Sequence, residues 1–184
     1  MSAGFTHLDG DGSARMVDVT GKQVTPRRAV AWCRVATAGA GPLRRPDLSE
    51  AEIAGVQAAK RVGALVPLCH PLPLDEVRTE IVEGDQAVEI TATVTTTART
   101  GVEMEALTAC AVAALCLING CGPLTASIEV LTLLEKSGGR SGTWRLPAAP
   151  GPVPREPMPQ GSERGGGERS PGGGAVPGPA GSGP

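Results

Sequence analysis

Residues 74–97, LDEVRTEIVEGDQAVEITATVTTT, alternate in character for most of their length. Val77, Thr79 and Ile81 take turns with Arg78, Glu80 and Val82, and Val88, Ile90, Ala92 and Val94 with Glu89, Thr91, Thr93 and Thr95. A period of two belongs to a strand with one buried face. Gly84-Asp85 between the runs is turn chemistry, so the stretch predicts an antiparallel hairpin. A lone hairpin is marginal in water and needs a cover. Composition limits what that cover is made of. Aromatic residues are 2% of the chain, so the core must be Ala, Val, Leu and Ile. Small side chains bury little area each, and self-association would bury more.

The flanking segments supply the cover. ARMVDV, 14–19, reads as a short extended piece, and RRAVAWCRVATA, 27–38, as a strand. A helix is predicted at 49–62. Ser49 would cap it, Glu50 and Glu52 suit its first turn, Lys60 and Arg61 its last, and Gly63 its end. The Ala- and Leu-rich run GVEMEALTACAVAALCLI predicts a second helix, about 102–118, with Gly120 and Pro123 beyond it. LTASIEVLTLLEK, 124–136, predicts a last strand with Ile128, Val130 and Thr132 in alternation. The resulting order, strand, helix, strand, strand, helix, strand, is an α+β, ferredoxin-like βαββαβ pattern: an antiparallel sheet with two helices on one face. The other face, rich in Thr and Val, must meet water, a partner subunit or the N-terminal strands.

The predicted domain runs from 12 to 146, after an N-terminal arm, 1–11. Residues 147–184 hold 10 Pro and 11 Gly and almost no large apolar side chain, so that tail is expected to be disordered. The net charge of −2 does not imply a general grip on nucleic acid. No apolar run reads as a membrane span, and the first residues have acids and no apolar signal core. A soluble, cytoplasmic protein without a membrane partner is expected. Five scattered cysteines argue against a disulfide framework, and the absence of a paired CxxC argues against a metal site. Cys33, Cys110 and Cys116 read as buried free thiols.

Four polar clusters stand just outside the predicted elements: Lys60-Arg61, Cys69-His70, Glu103-Met104-Glu105, and EKSGGRSG at 135–142. Pro67, Pro71 and Pro73 stiffen the turn around His70, whose imidazole can serve structure or ligand equally. Glu103 and Glu105 at a helix start can complement its dipole, hydrogen-bond a guanidine-like edge, or transfer protons. Lys136 and Arg140 among glycines suit a phosphate, although the spacing is not that of a P-loop. Together the clusters suggest a site for a small, phosphorylated, nitrogen-rich ligand.

MVDV (16–19), AGVQAAKR (54–61), PLCHPL (67–72), TGVEMEALTA (100–109), VAAL (112–115) and EKSGGRSG (135–142) together resemble the MoaC family, in order over roughly residues 5–146. The resemblance implies a ferredoxin-like fold and a homohexamer built from dimers, with sites at subunit interfaces. It implies a lyase of molybdenum cofactor biosynthesis: a cyclic pyranopterin monophosphate synthase that converts cyclised dihydro-GTP to the pyranopterin and releases pyrophosphate, without a redox cofactor. By motif, Leu68, Cys69, His70, Met104 and Glu105 are implied substrate contacts. Glu103 lines the same pocket, Lys136 serves triphosphate binding or proton transfer, and Lys60, Arg61 and Arg140 lie near.

Two stretches depart from the family pattern. After VAAL the family has a Tyr-Asp-Met-Cys-Lys-Ala segment whose Asp and Lys are catalytic. Here CLINGCGPL, 116–124, places Asn119 at the Asp position and Gly122 at the Lys position. Asn can neither ionise nor take a proton near neutral pH, and Gly has no amine. Upstream, TAGAGPLRRPDLS, 37–49, is shorter than the family's stretch ending in Lys-Gly-Asp. Arg44 or Arg45 stands near that lysine's place, keeping charge but not proton exchange.

Overall fold

The computed structural model describes residues 10–37, 43–122 and 125–148. The expected arm and tail lie almost wholly outside the described residues. The elements are β1 (Thr25–Ala36), α1 (Arg45–Ala59), α2 (Val62–Leu65), β2 (Glu76–Glu83), β3 (Ala87–Ala98), α3 (Glu103–Cys121), β4 (Ser127–Ser137) and β5 (Trp144–Arg145). Every strand pairing is antiparallel, in the order β2-β3-β1-β4-β5. This is the expected ferredoxin-like architecture with a short edge strand added.

The hairpin forms as read. Gly84 N–H donates to the Ala87 carbonyl at 2.8 Å, and Val77, Ile81, Val88, Ile90, Ala92 and Val94 all turn to the core. Both long helices cover that same face. Ala29, Ala31, Cys33 and Val35 of β1 meet Ala51 and Ala59 of α1 and Ala106, Ala109, Cys110, Ala113, Ala114 and Leu117 of α3. Small side chains allow close approach: a Cβ on Gly55 would stand 3.0 Å from the Ala109 carbonyl oxygen. α3 is long and apolar enough, by length and composition, to cross a membrane. Its buried stripe is, however, the centre of this core.

Four local expectations are corrected. The first helix begins at Arg45, not Ser49, because the Asp47 carboxylate accepts both the Arg44 backbone N–H (3.2 Å) and its guanidinium (2.9 Å). The helix then stops at Ala59, and Gly63 lies inside the separate turn α2. In the short piece 14–19, Ala14 forms a single bridge. In β4, two register shifts interrupt the simple alternation. Ile128 pairs with Val35 on the helix side, whereas Val130 and Thr132 pair with Arg34 and Trp32 on the other. Bulges of this kind insert an extra residue and re-aim the side chains beyond it. Cys116 is only half-buried, while Cys33 and Cys110 are buried.

The far face is closed at its centre from within the chain. Val30, Trp32 and Leu134 are buried there with Leu146 packed on them, and Leu146 N–H donates to the Leu134 carbonyl at 2.8 Å. β5 therefore brings the chain back alongside β4 at the sheet's edge, which the sequence did not announce. Beside it, buried Glu135 pairs with Arg28 (2.9 Å) and Arg145 (3.0 Å).

Candidate functional site

Strand register decides where the polar clusters gather. Thr25 at the start of β1 pairs with Ala98 at the end of β3, Arg28 with Ser137 at the end of β4, and Glu76 at the start of β2 with Thr95. The loops around 20–24, 99–102 and 138–143 and the segment entering β2 therefore meet at one end of the sheet. Three of the four clusters lie in those connections or at the element ends that border them. The fourth, Lys60-Arg61, is exposed at the α1–α2 junction. It is tied to the others through α2, where a Cβ on Gly63 would stand 3.1 Å from Pro71 Cα.

A cleft of about 710 Å³ opens at this end, within the range of small-molecule sites. Lys22, Arg27, Arg99 and Arg140 line it, with Glu103 facing them and Gly139 and Ser141 at the rim. None of these four cations pairs with a carboxylate among the described residues, whereas Arg28, Arg34, Arg44 and Arg145 all do. Unpaired cations around one carboxylate give a field suited to a multiply charged anion. The glycine loop beside it is tightly bent. Gly138 and Gly139 take φ of +93° and +70°, a region that L side chains avoid. Lys136 Nζ donates to Ser141 Oγ across the turn. Its pairing opposite Ala29 puts Lys136 on the helix-covered side of the sheet.

The acidic helix mouth borders the same cleft. The Glu103 carboxylate folds over Gly101, where a Cβ would collide with it. Glu105 is 4% exposed. Burial pushes its carboxyl up from 4.5 to about 7, and the Glu103 charge adds to that, against a hydrogen bond from Glu105's own backbone N–H. A carboxyl titrating near neutrality is equipped to give or take a proton. The Cys69 thiol is raised by burial and then by the Glu105 charge, so the thiol–imidazole turn lies within electrostatic reach of this helix mouth.

That turn is held under strain. Leu68, with φ of 65°, is the one non-glycine residue with positive φ among the described residues. The left-handed region costs an L residue roughly 1–2 kcal/mol. Its neighbours over-determine it. Cys69 N–H donates to the Val66 carbonyl at 3.3 Å, the Thr96 hydroxyl to the Pro73 carbonyl, and Asp75 N–H to the Thr95 carbonyl at 3.0 Å. Strain retained in this way clusters at functional sites.

Leu68, Cys69, His70, Glu103, Glu105, Lys136 and Arg140 thus belong to one end of the sheet. Met104, between the two glutamates, is 39% exposed. Asn119 and Gly122 do not join them. They lie at the other end of α3, 16 or more residues on from Glu103 and so about 24 Å along the axis. Arg44 is engaged with Asp47 at the start of α1. Sequence reading missed Lys22, Arg27 and Arg99. Their only signal was position, each at the border of a predicted element, and register had to be known before the borders could be brought together.

A model of the MoaC family matches residues 16–139. The chain belongs to the MoaC family. A protein of Streptomyces coelicolor named cyclic pyranopterin monophosphate synthase is 48% identical over 150 residues, covering 76% of this chain and 88% of its own length. A Novosphingobium aromaticivorans protein of the same name is 46% identical over 151 residues, covering 77% and 96%. Cyclic pyranopterin monophosphate synthase 1 of Mycobacterium bovis is 48% identical over 158 residues, covering 79% and 92%. The stretch matched by the MoaC model runs from before Lys22 to Gly139 and so takes in nearly the whole cleft lining.

Proposed function

We propose that this MoaC-family chain is a cyclic pyranopterin monophosphate synthase, a lyase of molybdenum cofactor biosynthesis that converts cyclised dihydro-GTP to cyclic pyranopterin monophosphate and pyrophosphate. The observation that carries the reading is the division of one cleft into a cationic wall and an acidic mouth. A purine-derived triphosphate has that same division, with its charge at one end and a nitrogen-rich ring at the other. Lys22, Arg99, Arg140 and Lys136 take the phosphates. Glu103 accepts from the guanidine-like ring edge, and Leu68, Cys69, His70 and Met104 wall the ring. Glu105 carries a proton, with His70 and Lys136 as its partners in acid–base work. Lys60 and Arg61 extend the positive field beside the turn. No redox cofactor or metal enters this scheme.

Asn119 holds the position of the family's Asp, yet it lies at the far end of α3 from its own cleft. It reaches a cleft only in a second copy of the chain. We therefore infer a homohexamer of dimers with shared sites, working in the cytoplasm on a small-molecule substrate, with no nucleic acid or membrane partner. The domain spans 12–146, flanked by the arm 1–11 and the tail 147–184.

Purified protein incubated with cyclised dihydro-GTP should yield pyranopterin and one pyrophosphate per turnover. Binding without product would make this a catalytically impaired member that holds the ligand or co-assembles with an active homologue, the behaviour that Asn119 and Gly122 favour.

A further inference from the structure

Arg27 lines the cleft, and two of its guanidinium nitrogens are bonded to backbone carbonyls. Nε donates to the Ala98 carbonyl at 3.4 Å and Nη2 to the Arg99 carbonyl at 3.2 Å. Nη1 occupies the space that a Cβ on Gly139 would fill. The preceding residue makes the same approach, since a Cβ on Gly138 would collide with the Pro26 carbonyl oxygen. The two carbonyls belong to the β3–α3 junction, which carries Arg99 and leads into Glu103. The glycines belong to the loop that carries Arg140 and Ser141.

We infer that Arg27 is a positioning residue, whose guanidinium locks the β3–α3 junction to the bare glycine loop and so sets the width of the cleft between Glu103 and Arg140. For its consequence in catalysis this rests on the proposed synthase activity; for the lock itself it does not. A planar fork can bond two successive carbonyls and lie flat against a glycine in one pose. A lysine keeps the charge but has one nitrogen and no flat face. The left-handed backbone at Gly139 and the guanidinium over it are then one device: glycine is required there by conformation and by the arginine together.

The lock is read first by amide hydrogen exchange in the full-length protein. Arg27→Lys should raise exchange together in residues 99–101 and 138–141, with the helical core unchanged. Unchanged exchange in either loop overturns the inference, whether or not the protein makes product. Kinetics and binding then read the consequence. Arg27→Lys should raise KM for cyclised dihydro-GTP and Kd for inorganic pyrophosphate by about tenfold, with kcat changed far less, as expected of a displaced binding wall. Gly139→Ala should do the same, and the double variant should be no worse than the poorer single. Singles within twofold of the parent, or a double showing the product of two independent losses, would overturn it. A parent protein that makes no product, with the paired exchange response intact, refutes the synthase reading alone.

Discussion

The two ends of α3 are made from the same helix and have opposite surroundings. At the first turn, Glu103 shares a cleft with four cations that pair with no carboxylate among the described residues, and Glu105 is buried behind it. At the last turn, Asn119 and Gly120 are exposed and no basic residue is present. Asp47 and Glu50 act on Cys116, and Asp47 and Glu83 on Cys121, though burial is the larger cause of each thiol's upward shift. A polyanion is drawn to the first of these ends. A helix dipole would favour an anion at the first turn, but it is worth only about 0.3–1 kcal/mol there. The cations come from the loop before β1, from β1, from the β3–α3 junction and from the loop after β4, so the contrast is made by topology rather than by the helix.

The strongest way to break this contrast is to remove the proton from the first turn. Glu105→Gln keeps size and burial but cannot ionise, and should lower kcat/KM for pyranopterin formation about 10²–10³-fold, the usual reach of one general acid–base group. A loss below fivefold would mean that Glu105 packs and does no chemistry.

The same side chain should leave a mark on stability. Its folded carboxyl titrates near 7 instead of 4.5, so the folded state holds the proton more tightly than the unfolded chain does. The ionisation penalty is absent below the unfolded value, grows as pH rises through this window and is complete above about 7. Parent stability should therefore fall between pH 4 and pH 8 relative to Glu105→Gln by at most on the order of 3 kcal/mol. Urea midpoints at the two ends of the range check the sign, and a gap that does not widen with pH contradicts it.

Giving the last turn the groups it lacks should sharpen the comparison from the other side. Asn119→Asp with Gly122→Lys should raise turnover about tenfold or more. Gly122 has φ of +93°, so the lysine should also cost roughly 1–3 kcal/mol of stability. No gain in turnover would show that this end of α3 does not complete a neighbouring copy's site. The smallest effect belongs to Asn119→Ala. At an exposed helix end it should shift the unfolding free energy by no more than about 0.5 kcal/mol, and a larger shift would reveal a structural role for the amide.

Much of the architecture was legible because it rests on local periodicity. The hairpin from 76 to 98 and the helix after it carry period-two and helical patterns that hold over many residues. The start of α1 was misread because Arg44 and Asp47 cap it through a reciprocal ion pair, which resembles a solvated charge cluster until the geometry is known. The bulges of β4 and the two-residue strand β5 were hidden for another reason: pairing with a distant strand stabilises them, and they have little pattern of their own. Of the candidate site, the residues sitting in compact motifs were found, while Lys22, Arg27 and Arg99 were not, because each is an ordinary cation beside an ordinary turn.

Taken alone, the chain's order of residues determined which segments become strands and helices, which of their faces are apolar, and which short motifs are stiff or acidic. Those are near-neighbour properties, set by backbone preference and by the spacing of apolar side chains. Only tertiary structure decided that the start of β1 and the ends of β3 and β4 share one edge, gathering four cations that pair with no carboxylate among the described residues, burying Glu105 and laying a guanidinium on a bare glycine. Electrostatic field and burial depend on distance through space, and no spacing along a chain measures that until the sheet has closed.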